Sequence, residues 1–424
     1  MAGTALEAID RALLDGERGE APRLAMRLLL ELAEIAGADR FIDVTSAHID
    51  SCLYHGQAGL DFAERLAAAG GRVAVRSTLN VSSLDLLHPH LFRGSAELAR
   101  QAKRLMDAYL ALGCEATWTC APYQLQRRPQ QGEHIAWAES NAIVFANSVL
   151  GARTDRYGDF TDICAALTGR VPYAGLHRPE DRAGQILFRI SRAIGPRLLA
   201  EDAFYAVLGH LVGRQCGSRI PVITGLPPGL GEDALKALGA AAASAGAVAL
   251  FHAVGSTPEA PTLAAATRDN TTVSTVVDVD RAAILAARDE LTTRAVGPLI
   301  AVSLGTPHFS LAEFERLAPL LHGQPPAGSI DFYVSTGRDV LARAREAGLT
   351  QPLEQAGVRI VTDTCTYITP ILRRTDGVVM TNSAKWAYYA PGNLGVDVAF
   401  GTLEDCVRSA RIGRITRDAS LWHD

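Results

Sequence analysis

The sequence predicts an α/β protein with largely parallel sheets. Along most of the chain, β-branched runs alternate with amphipathic helical patterns, the grammar of β-α-β units. Of 424 residues, 48% are apolar and 21% charged, a mixture that buries a core under a wettable surface. At roughly 100–200 residues per domain, the length implies two or three domains.

The elements follow in order. Glu20–Ala36 sets Leu24, Met26, Leu28, Leu29, Leu32 and Ile35 at helical spacing, and Gly37 stops it. Phe41–Thr45 reads as a short strand. Gln57–Ala69 repeats the helical pattern, closed by Gly70-Gly71 before a strand at Arg72–Val75. Ala116–Trp118 is strand-like. Further strands are expected at Val222–Thr224, Val248–Phe251, Thr272–Val277, Leu299–Leu304, Asp331–Ser335, Arg359–Thr362 and Val396–Phe400. Between most of them, Glu232–Ala245, Arg281–Glu290, Leu311–Leu321, Arg338–Ala347 and Leu403–Ala410 read as helices. Gly175–Arg219 loses the alternation and looks mostly helical. The expected regions are therefore 1–219, with that helical middle, a second α/β domain at 220–347, and a C-terminal α/β segment at 348–424 that completes the site. A last helix and a ragged end follow Gly401.

A formal charge of -5 is too mild to advertise nucleic acid or an anionic membrane. No apolar stretch approaches the roughly 20 residues that span a bilayer. The acidic N-terminus lacks the basic and apolar regions of a secretory signal, so a cytoplasmic protein is expected. The seven cysteines, at 52, 114, 120, 164, 216, 365 and 406, are odd in number and widely spaced, with no CxxC pair. A disulfide framework and a zinc ribbon are both disfavoured, and any metal must be gathered from distant segments. Gly225-Leu-Pro-Pro-Gly229-Leu-Gly231 lacks both GxGxxG spacing and the P-loop Lys-Ser/Thr, which removes a nicotinamide-dependent dehydrogenase. HExxH and GxSxG are also absent.

Polar residues gather at the ends of expected strands, where α/β proteins place ligands. The first group is Asp50-Ser51-Cys52-Leu53-Tyr54-His55-Gly56, for which a capped loop with a buried cysteine is the plainer reading. The second is Thr119-Cys120-Ala121-Pro122-Tyr123. In the third, Glu139, Ser140, Asn141, Asn147 and Ser148 interrupt an apolar helical stretch, where buried amides need partners. The fourth is Asp363-Thr364-Cys365-Thr366-Tyr367, a thiol flanked by hydroxyls. Closely following it, Asn382, Ser383 and Lys385 offer an amide, a hydroxyl and an ammonium that can converge on a carboxylate.

Seven strings resemble the aconitase X family over about residues 5–412: CLYHGQAGLDFAERLA from Cys52, STLNVSSLDL from Ser77, TWTCAPYQL from Thr117, GEHIAWAESNAIVFANSVLGARTDRYGD from Gly132, LGTPHFSL from Leu304, VTDTCTYITPIL from Val361 and MTNSAKWAYYAPGNLG from Met380. The chain looks like the large, catalytic part of the bacterial cis-3-hydroxy-L-proline dehydratase type. That resemblance implies aconitase-like α/β/α domains without the small swivel domain. It also implies a hydro-lyase with an iron–sulfur cluster (the 2Fe–2S type favoured) or mononuclear iron, turning cis-3-hydroxy-L-proline into Δ1-pyrroline-2-carboxylate. Cys120 and Cys365 match the family's metal-binding cysteines. Archaeal relatives tend to read GCPH where this chain has Gly305-Thr306-Pro307-His308, and threonine cannot replace a thiolate on a cluster. Cys52 is the substitute third ligand, with Cys216 behind it.

The family's catalytic base is a serine on the swivel domain. Because the large part's own first helix begins almost at Met1, a separate small subunit is expected, with this chain nearly inactive alone. Lys385, Ser383 and Glu139 are the expected catalytic side chains; His55, Asn80, Ser140, Asn141 and Asn382 are expected to bind the imino-acid substrate. Such a dehydration needs a proton taken from Cα and hydroxide expelled from C3. A Lewis acid helps the second event, and cationic groups at the carboxylate help the first. Two alternatives stand beside this reading: a mevalonate 5-phosphate dehydratase of the same family, and a metal-free, non-catalytic scaffold.

Overall fold

The computed structural model describes residues 4–268, 273, 275–321 and 325–423. The chain divides into two units, Met1–Leu84 with Ser95–Ala183, and Asp85–Gly94 with Gly184–Asp424. Each is built from α/β layers, as the alternating pattern requires.

In the first unit, Glu20–Ile35 is a helix because Ala21, Ala25, Leu29 and Ala33 recur every fourth residue and bury one face. Ser95 caps the helix Ala96–Ala111 by accepting from the Leu98 N–H at 3.1 Å. Strands β1 (Phe41–Asp43), β2 (Ser46–Ile49), β3 (Arg76–Leu79), β4 (Ala136–Trp137) and β5 (Arg170–Pro172) form two sheets. One is the antiparallel pair β1–β5; the other is parallel, in the order β3-β2-β4. The chain leaves β2 for β3 on one side and later returns to β4 on the other. That reversal makes the carboxyl end of β2 a topological switch point, the favoured ligand position in open α/β sheets.

The second unit carries two parallel sheets. Strands β6 (Ile186–Ile190), β7 (Pro221–Thr224), β8 (His252–Ala253) and β9 (Val276–Val279) lie in the order β8-β7-β6-β9. Strands β10 (Leu299–Phe309), β11 (Asp331–Thr336), β12 (Val358–Val361), β13 (Val378–Thr381) and β14 (Asp397–Phe400) lie in the order β12-β11-β10-β13-β14. The latter sheet is packed through Val302, Leu304, Phe332, Val334, Met380 and their neighbours. Helices Asp202–Cys216 and Glu232–Ala245 pack tightly because Gly209 and Gly213 carry no side chain. A Cβ at Gly209 would meet the Leu238 carbonyl at 2.2 Å.

Several expected elements shift. Arg72–Val75 is not a strand; Val73 donates to the carbonyl of Leu112 just past a helix end and Ala74 to that of Ala166 inside the helix Thr161–Thr168, and pairing begins at Arg76. Ala116–Trp118 stays out of the sheet because the Thr117 hydroxyl takes the place of a backbone rung, bonding both N–H and C=O of Leu79 at 2.9 Å. Val248–Phe251 is buried, but pairing starts at His252. The expected strand Thr272–Val277 lies partly outside the described residues; the strand there is β9. Strand β6 sits inside the supposed helical middle. Its partners are β7 and β9, so a boundary at 219/220 would cut one sheet, and one at 347/348 would cut the five-stranded sheet between β11 and β12. After the helix Leu403–Ile412 the end is held in place rather than ragged, with Trp422 buried beneath the Arg288 guanidinium.

Candidate active site

In the first unit, the turns that follow β2 and β3 meet through Asp50, Cys52 and Asn80. The turn Asp50–Cys52 is tied down by Asp162, which accepts from the N–H groups of Asp50 (2.7 Å) and Ser51 (3.0 Å) and from the Ser51 hydroxyl (2.9 Å). Burial pushes the Asp162 carboxyl up to about 6. Cys52 turns its thiol to the carbonyls of Ile49 (3.3 Å) and Asn80 (3.4 Å), and burial raises its pKa well above the ordinary value. Among the described residues, the group of cysteines and histidines close enough to share a metal ion does not include Cys52. His55 is exposed just ahead of the helix Gln57–Ala68. Asn80 follows β3; its amide donates to Asp50, and its buried Oδ1 has no partner among the described residues.

Past β4, Glu139 caps the helix Ser140–Phe145, accepting from the Ala142 N–H at 2.7 Å and from the Ser140 hydroxyl at 3.2 Å. Asn141 donates to the Cys120 carbonyl at 2.8 Å and exchanges hydrogen bonds with the Tyr123 hydroxyl. Tyr123 stacks on Phe145 with centroids 3.7 Å apart, so Asn141 grips the Cys120 turn from a packed cluster. Asn147 is structural by its bonds: its amide pairs with Thr154, and its Oδ1 also receives the buried Arg182.

In the second unit, the polar residues lie at the carboxyl ends of β10, β12 and β13. Strand β10 breaks register between Leu304 and Phe309. At Gly305, where φ is +85°, a Cβ would lie 2.0 Å from the Ser335 carbonyl, so only glycine allows this approach. Thr306 is buried and its hydroxyl has no partner among the described residues. His308 faces the Thr364 carbonyl through Nε2 at 3.2 Å. If Nε2 carries the proton, Nδ1 keeps a free lone pair of the kind imidazoles offer to metals.

Cys365 sits in the buried turn after β12, its carbonyl accepting from Ile368 and Thr369. Thr366 bonds Ser303 at 2.6 Å and receives Trp386 Nε1 at 3.0 Å. Ser383 caps the helix Ala384–Leu394 through the Trp386 N–H (3.0 Å) and donates to the Thr306 carbonyl. A cleft brings Asn382, Ser383 and Lys385 together with Thr306, Lys236 and Glu313. Lys385 is buried there, as is Lys236, which bridges Asp233 (2.8 Å) and Glu313. Burial pushes the Glu313 carboxyl up to about 7. Sequence reading left out Lys236 and gave His308 and Thr306 no role. For Thr306 and His308 the available signal was polar side chains inside a largely apolar strand.

With this geometry in view, the comparisons are specific. Profiles of the aconitase X first, second and third domains match residues 3–180, 184–289 and 299–412. A cis-3-hydroxy-L-proline dehydratase of Pseudomonas aeruginosa is 45% identical over 99% of this chain and 72% of its own length. The chain belongs to the aconitase X family. The phosphomevalonate dehydratase large subunit of Methanothermobacter thermautotrophicus is 38% identical, over 95% of this aconitase X chain and 98% of that protein. A crystal structure of Thermococcus kodakaraensis aconitase X in its holo form superposes with a TM-score of 0.84 at 32% identity, covering 96% of this chain and all of that one. The aconitase-like α/β architecture expected from the sequence is therefore the one present, and this aconitase X is a hydro-lyase. No helix among the described residues is long and apolar enough to cross a membrane.

Proposed function

We propose that this aconitase X dehydrates cis-3-hydroxy-L-proline to Δ1-pyrroline-2-carboxylate in a reducing, cytoplasmic setting. The observation that carries the reading is the 45% identity, over 99% of this chain, with a dehydratase of that name. All seven cysteines are free, in keeping with a reducing compartment.

The metal centre in this reading is held by Cys120 and Cys365, with His308 rather than Cys52 as the third donor. These three buried side chains can each offer one ligand atom to a metal ion. Two thiols and an imidazole suit iron or an iron–sulfur centre, whereas carboxylate or carbonyl sets suit magnesium and calcium. Three protein ligands leave a position open, and a centre bound there supplies Lewis-acid help to the departing hydroxyl.

The chain's own groups do the rest. Lys385 and the Thr306 hydroxyl, in the cleft of the second unit, receive the substrate carboxylate and offset charge as Cα loses its proton. Asn382 orients the same carboxylate, while Ser383 fixes the start of its helix. Asn80, through its unpartnered Oδ1, accepts from the substrate's ring ammonium. Glu139, Ser140 and Asn141 hold the Cys120 turn, and the exposed His55 offers its ring to the incoming substrate. The proton on Cα is taken by a serine of a separate small subunit; relatives named as large subunits support such a partner.

The test is an assay of the chain, purified without air and mixed with its small subunit, on cis-3-hydroxy-L-proline and on mevalonate 5-phosphate. Turnover of the imino acid is expected. Activity on the phosphate ester alone would favour the second reading, which rests on the similarity to phosphomevalonate dehydratases.

A further inference from the structure

The segment Asp85–Gly94 lies between stretches of the first unit in sequence, yet belongs to the second. Its first residue is a buried carboxylate with an unusual number of partners. Asp85 accepts from the Thr362 N–H (2.8 Å) and hydroxyl (2.9 Å) beyond β12, and from Leu87, His88 and the His88 ring within its own turn. One residue further on, the Leu86 N–H donates to Asp363 at 3.1 Å. Asp363 is buried at a φ of +61°, a conformation unfavourable for a side chain bearing a Cβ, and Arg338 clamps its carboxylate with two bonds of 2.6 and 2.7 Å. Two residues later comes Cys365, and the intervening Thr364 offers its carbonyl to His308.

We infer that Asp85, acting with Arg338 through Asp363, is a positioning residue for the metal centre: the Asp85–Gly94 strap holds the strained turn that aims Cys365. Neither side chain offers itself to the metal. Their work is to keep residues 362–365 in one conformation, so that the thiol and the His308 ring need no reordering when iron binds. Losing groups that orient a ligand typically weakens metal binding about 10–100-fold. The inference rests on Cys365 being a ligand, as proposed above.

The experiment compares the full-length parent with Asp85→Asn and with Arg338→Gln. Asp85→Asn sets an N–H₂ against groups that already donate, at unchanged size. Arg338 is one-third exposed, so its replacement opens no cavity in the core, and it decides the matter if the first variant does not fold. Iron affinity is read by chelator competition, and amide hydrogen exchange of residues 362–369 is read on metal-free protein. Both variants are expected to exchange faster in that turn and to hold iron about 10–100-fold more weakly, with exchange elsewhere unchanged. Faster exchange with iron affinity kept within about twofold of the parent overturns the inference, and so does unchanged exchange. A parent that binds no iron overturns the proposed function, and the strap's role with it, and is told apart by the parent measurement alone.

Discussion

Cys52 and Cys365 are both buried thiols in turns just beyond parallel strands, and only their surroundings separate them. Cys52 spends its hydrogen on the carbonyls of Ile49 and Asn80, while Cys365 lies in a turn with His308 against the neighbouring carbonyl. Cys365→Ala is expected to abolish iron binding with the fold retained. Cys52→Ala should keep its iron and lose about 1 kcal/mol of stability, as a small buried truncation does. Iron content and urea melts of both variants check this. A different residue governs the acid limit. Burial, helped by His134, Arg182 and Arg153, lowers His177 to about 3. The unfolded histidine, near 6.5, takes up a proton that the native one refuses, so stability is full above about 6.5 and is lost as pH falls toward 3. Between about pH 7 and pH 5 this group costs about 2 kcal/mol. Replacing His177 by Gln should flatten that limb in urea titrations; an unchanged slope would assign the proton elsewhere.

Ser383 lies two residues past β13 and caps the helix that follows, which makes it a test of how elements position the site. Ser383→Ala removes a helix cap worth about 1 kcal/mol and frees the Thr306 carbonyl. Because Lys385 and Asn382 ride on that turn, kcat/KM is expected to fall at least tenfold, far beyond what so small a loss of stability explains. Steady-state kinetics alongside a melt separates the two effects. Helices were legible in the sequence, since side-chain periodicity and the stops at Gly37 and Gly70 are local signals; Glu232–Ala245 and Arg281–Glu290 match residue for residue. Strands were less so. Pairing is decided by partners far along the chain, which is why Val73 looked like strand but bonds a helix end, and why Thr117 replaced a rung with its hydroxyl. Strand β6 carried a readable alternation, with Ile186, Phe188 and Ile190 inward and Arg189 outward, hidden by its helical surroundings.

For the whole molecule, the family strings carried identity further than local patterns could. They drew attention to Cys120 and Cys365, yet said nothing of Asp85, whose bonds to Thr362 span 277 positions and exist only once the chain has folded. The same blindness applied to His308, an imidazole in an apolar run. Domain limits also needed the sheets themselves, because a boundary is a break in pairing rather than in composition.

The central claim is that Cys120 and Cys365, remote in sequence, bind one iron centre. X-ray absorption at the iron edge of the anaerobically purified protein, repeated on Cys120→Ala and Cys365→Ala after reconstitution, tests it most directly. The account predicts cysteine sulfur and imidazole nitrogen around iron in the parent, with each substitution removing protein sulfur or the iron itself. An iron environment identical to the parent's in either variant would contradict it.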